Sequence, residues 1–140
     1  MSRADKLSPD MAQTAFLSGT QALAKLPQLM RQRDIAAGLN TAGYVTGYRG
    51  SPLAQLDREM TRAAKGLTDN HIHFHPALNE DLAVTAAWGT QQSSLFDGVR
   101  YDGIFAMWYG KGPGVDRSLD AIRHANADGT DPRGGVLVMM

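Results

Sequence analysis

The sequence predicts an α/β fold in which a parallel sheet is flanked by helices. Four short apolar runs begin near residues 43, 71, 103 and 135, so successive strands lie about 30 residues apart. Residues with helical periodicity fill the intervals, as expected for helices that cross over between parallel strands. The third run, GIFAMWY at 103–109, is apolar without alternation, which is typical of a strand covered on both faces.

The composition limits the size and class of the protein. The 140 residues suffice for one domain, and 43% hydrophobic with 20% charged residues is a globular composition. The 14 Lys and Arg residues balance the 14 Asp and Glu residues, which gives no electrostatic reason to expect a nucleic-acid partner or a membrane surface. The sequence has no cysteine, which excludes disulfides, thiolate zinc sites and cysteine-ligated iron–sulfur clusters within these residues. With no secretory signal or membrane helix in the sequence, we predict a cytoplasmic protein.

The first part of the chain predicts a polar lead-in and one helical segment. Residues 1–18 are expected to be a disordered lead-in, and residues 19–140 to form the domain. Thr20 is the predicted N-cap of the first helix, Pro27 predicts a kink or two abutting helices, and Gly38 predicts the C-cap. The apolar face of this segment consists of Leu23, Leu26, Leu29 and Met30.

The rest of the chain predicts four strands with one helix after each of the first three. The strands are predicted at Gly43–Tyr48, which Gly50-Ser51-Pro52 ends, then at His71–Phe74, Gly103–Tyr109 and Val136–Met140. The chain ends within the fourth strand, and we therefore expect it to be a fragment of a longer protein. The helices have inner faces of Leu53, Leu56, Met60, Ala63 and Leu67, then Ala83, Ala86, Ala87 and Thr90, then Val115, Leu119 and Ile122.

Polar or glycine-rich turns follow each of the first three predicted strands. They are Tyr48–Pro52, Asn79-Glu80-Asp81 and Lys111–Arg117. Parallel strands end at one edge of the sheet, where open α/β sheets bind ligands, so the three turns predict a site at that edge. Turn formation and helix capping explain each turn equally well when it is considered alone.

Glu80 is the sharpest candidate for chemistry. Asn79 can cap the helix that begins here, and Glu80 and Asp81 would favour the positive end of its dipole, which is a complete structural explanation. The functional alternative is a carboxyl group held in an apolar cleft for proton exchange with a bound heterocycle. Flanking apolar residues such as Leu78 and Leu82 are expected to provide that apolar environment.

Two further patterns carry weaker signals. The Lys111–Gly114 run lacks the residue order of a Walker A loop, and Arg117 stands where a dinucleotide fingerprint needs its third glycine. His71, His73 and His75 alternate along a predicted strand and would share one face, where they could ligate zinc or iron or be packed and hydrogen-bonded. We favour packing, so no metal ligands are predicted. His124 is expected at the surface, and Met107-Trp108-Tyr109 in the core.

Three segments together resemble the indolepyruvate:ferredoxin oxidoreductase family in its long fused bacterial branch. They are GLNTAGYVTGYRGSPL (38–53), HIHFHPALNEDLAVTAAWGTQQ (71–92) and YDGIFAMWYGKGPGVDRS (101–118), in the order of the family. The resemblance is to the N-terminal domain, which binds the pyrimidine end of thiamine diphosphate. It implies the thiamine diphosphate-binding fold, truncated, with a polypeptide many times longer than this chain.

The resemblance also implies roles for individual residues. Glu80 would be the catalytic glutamate that bonds the aminopyrimidine ring and promotes its imino tautomer. Arg49, Ser51 and Lys111 would face the substrate, although Arg49 and Ser51 stand where the wider group has Pro and Thr. The residues that would border the cofactor are Gly50, Ser51, Pro52, Asn79, Gly112, Pro113 and Gly114.

The reaction implied is oxidative decarboxylation of a 2-oxo acid to an acyl-coenzyme A. The implied partners are an arylpyruvate substrate, coenzyme A and ferredoxin, and a homo-oligomer is expected. Ligands for Mg²⁺ and for clusters of the 4Fe–4S type would lie outside these residues. Two other interpretations stay open at this point. One is a non-catalytic α/β interaction or regulatory module, and the other is a metallohydrolase built on His71, His73 and His75.

Overall fold

Four parallel strands form one sheet in the computed structural model, which describes residues 15–49, 53 and 55–140. The strands are β1 (Ala42–Gly47), β2 (Ile72–Phe74), β3 (Ile104–Tyr109) and β4 (Gly135–Met139). Their order across the sheet is β2-β1-β3-β4, and every neighbouring pair is parallel. The predicted α/β fold with a parallel sheet and flanking helices is therefore confirmed.

The first helix, α1 (Gly19–Ala36), is one continuous helix, so the prediction of two abutting helices is wrong. Pro27 lies inside it with its ring buried, and the helix continues past the hydrogen bond that proline cannot donate. The N-cap is Ser18 instead of Thr20: its hydroxyl accepts from Gln21 N–H and the Gln21 side chain accepts from Ser18 N–H. The predicted lead-in falls mostly on residues 1–14, outside the described residues.

Two predicted helices are each divided by a short break. The segment after β1 forms α2 (Leu56–Arg62) and α3 (Ala64–Asp69), and the segment after β3 forms α5 (Gly112–Arg117) and α6 (Leu119–Asp128). The linking residues Ala63 and Ser118 have near-helical backbone angles, with ψ of 0° and 4°. An apolar stripe runs across such a shallow break without losing its period, and this explains why the sequence predicts single helices.

Strand β2 is one residue shorter than predicted because His71 precedes it with a φ of 56°, a left-handed conformation that extended strands exclude. The segment after β2 leads to α4 (Glu80–Thr90), which begins where the sequence predicts. No helix in the described ranges combines the length and apolarity needed to cross a membrane.

The helices cover the sheet on both faces. Helices α1, α2 and α3 pack on one face around Val45, Phe105, Met107 and Tyr109. Helices α4, α5 and α6 pack on the other, where Ala83, Val84 and Trp108 form a second cluster. The three residues that end β3, Met107, Trp108 and Tyr109, are at most 1% exposed, so their predicted place in the core is confirmed.

The N-terminal edge of the sheet is fastened by side chains. Gln91, at the end of α4, donates to the Ile104 carbonyl and accepts from Gly135 N–H, which ties β3 to β4. Asn40 N–H donates to the Asp102 carboxylate at 2.8 Å, which joins the segments before β1 and β3 across 62 residues. Both contacts hold the strands in register from the end opposite to the predicted site.

Gly47 allows a close approach between β1 and an aromatic ring, and its replacement is expected to destabilise the fold. A Cβ atom at this position would lie 2.5 Å from the buried ring of Tyr109. We expect Gly47→Ala to lower the free energy of unfolding by about 1–3 kcal/mol, as overpacking does. Gly89→Ala on α4 is the control, because nothing lies within 4 Å of its Cβ and alanine favours a helix. Urea denaturation measures both, and equal stability of the two variants would contradict the prediction.

Candidate active site

The strand order creates a crevice at the C-terminal edge of the sheet. From β1 the chain turns towards β2 through α2 and α3, whereas from β3 it turns the opposite way towards β4 through α5 and α6. Because β1 and β3 are neighbours, their connections diverge and leave a gap between them. Such a switch point is where open α/β sheets bind ligands. The predicted turns after β1 and β3 both begin here.

Glu80 lies at this edge, in the first turn of α4. Asn79 caps the helix by accepting a hydrogen bond from Leu82 N–H at 2.8 Å. The predicted helix start is therefore confirmed. Glu80 is only 8% exposed. No hydrogen bond joins its carboxylate to another of the described residues.

The glycines of the turn after β3 make room for the Glu80 side chain. A Cβ atom on Gly114 would lie 2.6 Å from Glu80 Cγ and 2.9 Å from Oε1. On Gly110 it would lie 3.8 Å from Glu80 Cγ and 3.3 Å from the indole of Trp108. The Glu80 side chain therefore lies against the bare backbone of the turn after β3. The turns after β2 and β3, predicted separately, meet at this point.

Leu78 and Leu82 do not provide the apolar surroundings that the sequence predicts for Glu80. They are 85% and 52% exposed, because the helical turn that directs Glu80 inwards directs its neighbours to solvent. Glu80 instead lies against Gly110 and Gly114.

A polar cluster beside Glu80 fixes the start of α4 against the junction of α5 and α6. Asp81 accepts hydrogen bonds from Arg117 Nε at 2.6 Å and from the buried Ser118 hydroxyl at 3.2 Å. Hydrogen bonding to Asp81 raises the pKa of Arg117, and the charge of Glu80 adds to the effect. The positive charge of Arg117 is therefore close enough to the Glu80 carboxylate to interact with it. The sequence places Arg117 in the turn without indicating that it pairs with Asp81.

The other predicted site residues are distributed along the same edge. Lys111 precedes α5 and is exposed, and Gly112 and Pro113 form the first turn of that helix. Arg49 is exposed in the turn after β1. The Oδ1 atom of Asn79 caps α4 by accepting from Leu82 N–H, and its predicted contact with a cofactor stays a prediction. The predictions at Gly50, Ser51 and Pro52 fall outside the described residues.

Tyr109, which the sequence predicts as a core residue with the tip of its side chain near the cleft, brings a polar group to this end of the sheet. Its side chain is 1% exposed, and its hydroxyl has no hydrogen-bond partner among the described residues. Burial raises the pKa of Tyr109 to about 12; the charge of Asp57 also raises it, whereas that of Arg49 lowers it. The hydroxyl therefore stays protonated at neutral pH. The sequence signal for a polar group here is the position of Tyr109 at the end of an apolar strand.

The raised pKa of Tyr109 predicts a loss of stability at high pH. In the unfolded chain a tyrosine loses its proton near pH 10, whereas folded Tyr109 keeps its proton until about pH 12. The contribution of protonated Tyr109 to the free energy of unfolding is complete below pH 10 and is lost as the pH rises to 12. We expect Tyr109→Phe to be as stable as the wild type at pH 7, because the hydroxyl has no partner, and to lose less stability above pH 10. Urea denaturation from pH 7 to 11.5 tests this, with the exposed Tyr48→Phe as control.

The histidines do not form the three-residue face that a metallohydrolase would need. His71 lies outside β2, and its Nδ1 is 3.2 Å from the hydroxyl of Tyr101. Of these three histidines, His73 and His75 stack on each other, and His71 stacks on neither. No group of three or more metal-ligating side chains occurs in the part of the chain that the structure describes. His124 is exposed, as predicted, and stacks on Trp88.

The arrangement at the C-terminal edge is suited to proton exchange. A carboxylate without a hydrogen-bond partner among the described residues faces glycines that keep side chains away from it, and a cation lies close by. Such a group can accept or donate a proton once a polar ring enters the crevice. No protein-family model, curated protein or solved structure matches this chain, so the chemistry of the edge itself is what bears on function.

Proposed function

We propose that this chain is the pyrimidine-binding domain of a thiamine diphosphate-dependent 2-oxo acid:ferredoxin oxidoreductase that acts on arylpyruvates. The confirmed parallel α/β sheet is compatible with that fold, and the resemblance of three segments to the indolepyruvate enzymes suggests it. Both observations concern the same place, the edge of the sheet where the connections after β1 and β3 turn in opposite directions.

The observation that carries the proposal is the setting of Glu80. Glu80 is 8% exposed at a helix start, its carboxylate has no hydrogen-bond partner among the described residues, and its side chain lies against Gly114, where a Cβ would displace it. A carboxylate in this setting can take a polar partner that enters the crevice, because Gly110 and Gly114 leave room beside it. The ring nitrogen of an aminopyrimidine is such a partner. The residues present therefore fit the cofactor half that the resemblance implies.

In this proposal the chain orients the ring and moves one proton. Thiamine diphosphate, when bound, supplies the carbon nucleophile for decarboxylation of a 2-oxo acid. Glu80 holds or releases a proton at its carboxylate, and the Asp81–Arg117 pair keeps the start of α4 in place. Gly112, Pro113 and Gly114 would border the cofactor. Lys111 or Arg49 would pair with the carboxylate of the substrate, and Ser51 would face it.

Other functions in this proposal belong to segments outside these residues. Magnesium and diphosphate binding, the 4Fe–4S clusters that pass electrons to ferredoxin, and acyl transfer to coenzyme A all need ligands that this sequence does not supply. We therefore expect residues 1–140 alone to show no turnover of 2-oxo acids. Measurable turnover by these residues would overturn the expectation that a second domain is required.

The experiment that tests the proposal is an assay of the native polypeptide that carries this sequence. Reduction of a viologen dye is followed with indolepyruvate, coenzyme A, thiamine diphosphate and Mg²⁺. We expect reduction that depends on both the cofactor and coenzyme A, and that is faster with arylpyruvates than with pyruvate. Absence of reduction with every 2-oxo acid, in a protein shown to bind the cofactor, would refute the proposed reaction.

A further inference from the structure

Three aromatic rings form a row on the β2 side of the sheet, away from Glu80. Tyr44 on β1 stands directly opposite His73 on the edge strand β2. Their ring centroids are 5.8 Å apart, and those of His73 and His75 are 5.7 Å apart, with interplanar angles of 25° and 17°. The two imidazoles therefore lie side by side on the same face.

The backbone holds both histidines in this arrangement. His75 lies just beyond β2, but its N–H donates to the Val45 carbonyl at 2.9 Å, and Ala77 N–H donates to the Gly47 carbonyl at 2.9 Å. The ladder beside β1 thus continues past the end of β2, and residues two apart on extended backbone share a face. The stacked ring of Tyr44 further restricts the ring of His73.

Both side chains are exposed, and their ring nitrogens are free to bind a ligand. No hydrogen bond joins a ring nitrogen of His73 or His75 to another described residue, and both residues are exposed. His71 differs from them, since it has a left-handed backbone and its ring faces the Tyr101 hydroxyl. The pair therefore consists of His73 and His75 alone.

We propose that His73 and His75 chelate a divalent late transition-metal ion, such as Zn²⁺ or Ni²⁺. Imidazole nitrogen is a preferred ligand of these ions. Because a ring nitrogen donates in the plane of its ring and the two rings are nearly parallel, at least one of these exposed rings turns about its side-chain torsions to bring both nitrogens to one ion. Because no third metal-ligating side chain joins them among the described residues, water occupies the remaining coordination positions. The site is a surface chelate, independent of the reaction proposed at Glu80.

The test is a titration of the full chain with ZnCl₂ and with NiCl₂ by isothermal calorimetry, after treatment with EDTA and dialysis. We expect one ion per chain with an affinity in the micromolar range. Loss of a residue that merely orients a metal ligand costs about 10–100-fold in affinity. His73→Asn and His75→Asn are therefore each expected to weaken binding by at least about tenfold. His124→Asn and His71→Asn are the matched controls and should bind as the wild type does.

A second measurement guards against loss of structure. Both substituted side chains are exposed, so the circular dichroism spectra of His73→Asn and His75→Asn should match that of the wild type. In proton NMR spectra, substoichiometric Ni²⁺ should broaden the imidazole signals of His73 and His75 before that of His124. Absence of binding, or binding unchanged in both folded variants, would overturn the proposal.

Discussion

Glu80→Gln in the native polypeptide is expected to lower the rate of viologen reduction with indolepyruvate by about 10²–10⁴-fold, the usual contribution of a positioned acid or base. Glutamine has nearly the shape of glutamate, and the space against Gly114 accepts it without a new clash. It cannot take up or release the proton that the carboxylate exchanges. The substitution should cost little stability, because no described residue donates a hydrogen bond to this carboxylate. The affinity of the variant for the cofactor is measured separately by calorimetry, which distinguishes a loss of binding from a loss of proton transfer.

Glu59→Gln is the matched control for this experiment. Glu59 is the only other glutamate in the sequence, and it lies on α2 in an ion pair with Arg62. The same chemical change there should leave the reduction rate at the wild-type level. Equal rates for Glu80→Gln and the wild type would show that Glu80 does not transfer the proton, and the proposed function would lose its main support.

Gly114→Ala is expected to reduce turnover almost as far as Glu80→Gln while the fold remains intact. The new Cβ would lie 2.6 Å from Glu80 Cγ, 2.9 Å from Oε1 and 3.0 Å from Cδ. The obstructed group is a flexible side chain, so Glu80 moves and the backbone stays. Gly114 is within α5, where alanine is a better helix former than glycine. The melting temperature should therefore change little.

Gly89→Ala provides the control, because nothing lies within 4 Å of its Cβ and it is near the end of α4 opposite to Glu80. It should keep wild-type turnover. The double variant Gly114→Ala with Glu80→Gln should be no slower than Glu80→Gln, since both changes remove the same positioned carboxylate. Additive losses in the double variant would mean that Gly114 acts on the reaction by another route.

The strands were predictable from the sequence, whereas the breaks between helices were not. Apolar runs such as GIFAMWY are bounded by glycine and polar residues, so their number and their parallel arrangement follow from spacing. The breaks at Ala63 and Ser118 depend on small rotations of the backbone that leave the apolar stripe intact. Likewise, Pro27 predicts an interruption of α1, but the helix continues because burial of the proline ring outweighs the lost hydrogen bond.

At the candidate site, the sequence predicts the position of Glu80 but not its surroundings. The cap at Asn79 and the acids that follow it are a local pattern, and local patterns can be recognised in a sequence. The contact between Glu80 and Gly114 joins two segments whose distance depends on how α4 lies across the sheet. The expectation that Leu78 and Leu82 bury the carboxylate was wrong, because these neighbours in the sequence point to a different side from Glu80.

The order of the strands also determines when the crevice can form during folding. Strands β1 and β3 are neighbours in the sheet, and the segments before them are joined by Asn40 and Asp102 across 62 residues. Pairing at such separation closes a long loop, and a high contact order slows folding. The chain from α2 through α4 lies between these two strands in the sequence and forms the loop that closes when they pair. We therefore expect the crevice at the C-terminal edge of the sheet to form in the last, rate-limiting phase of folding. Substitutions within α4 should slow refolding more than substitutions in α6.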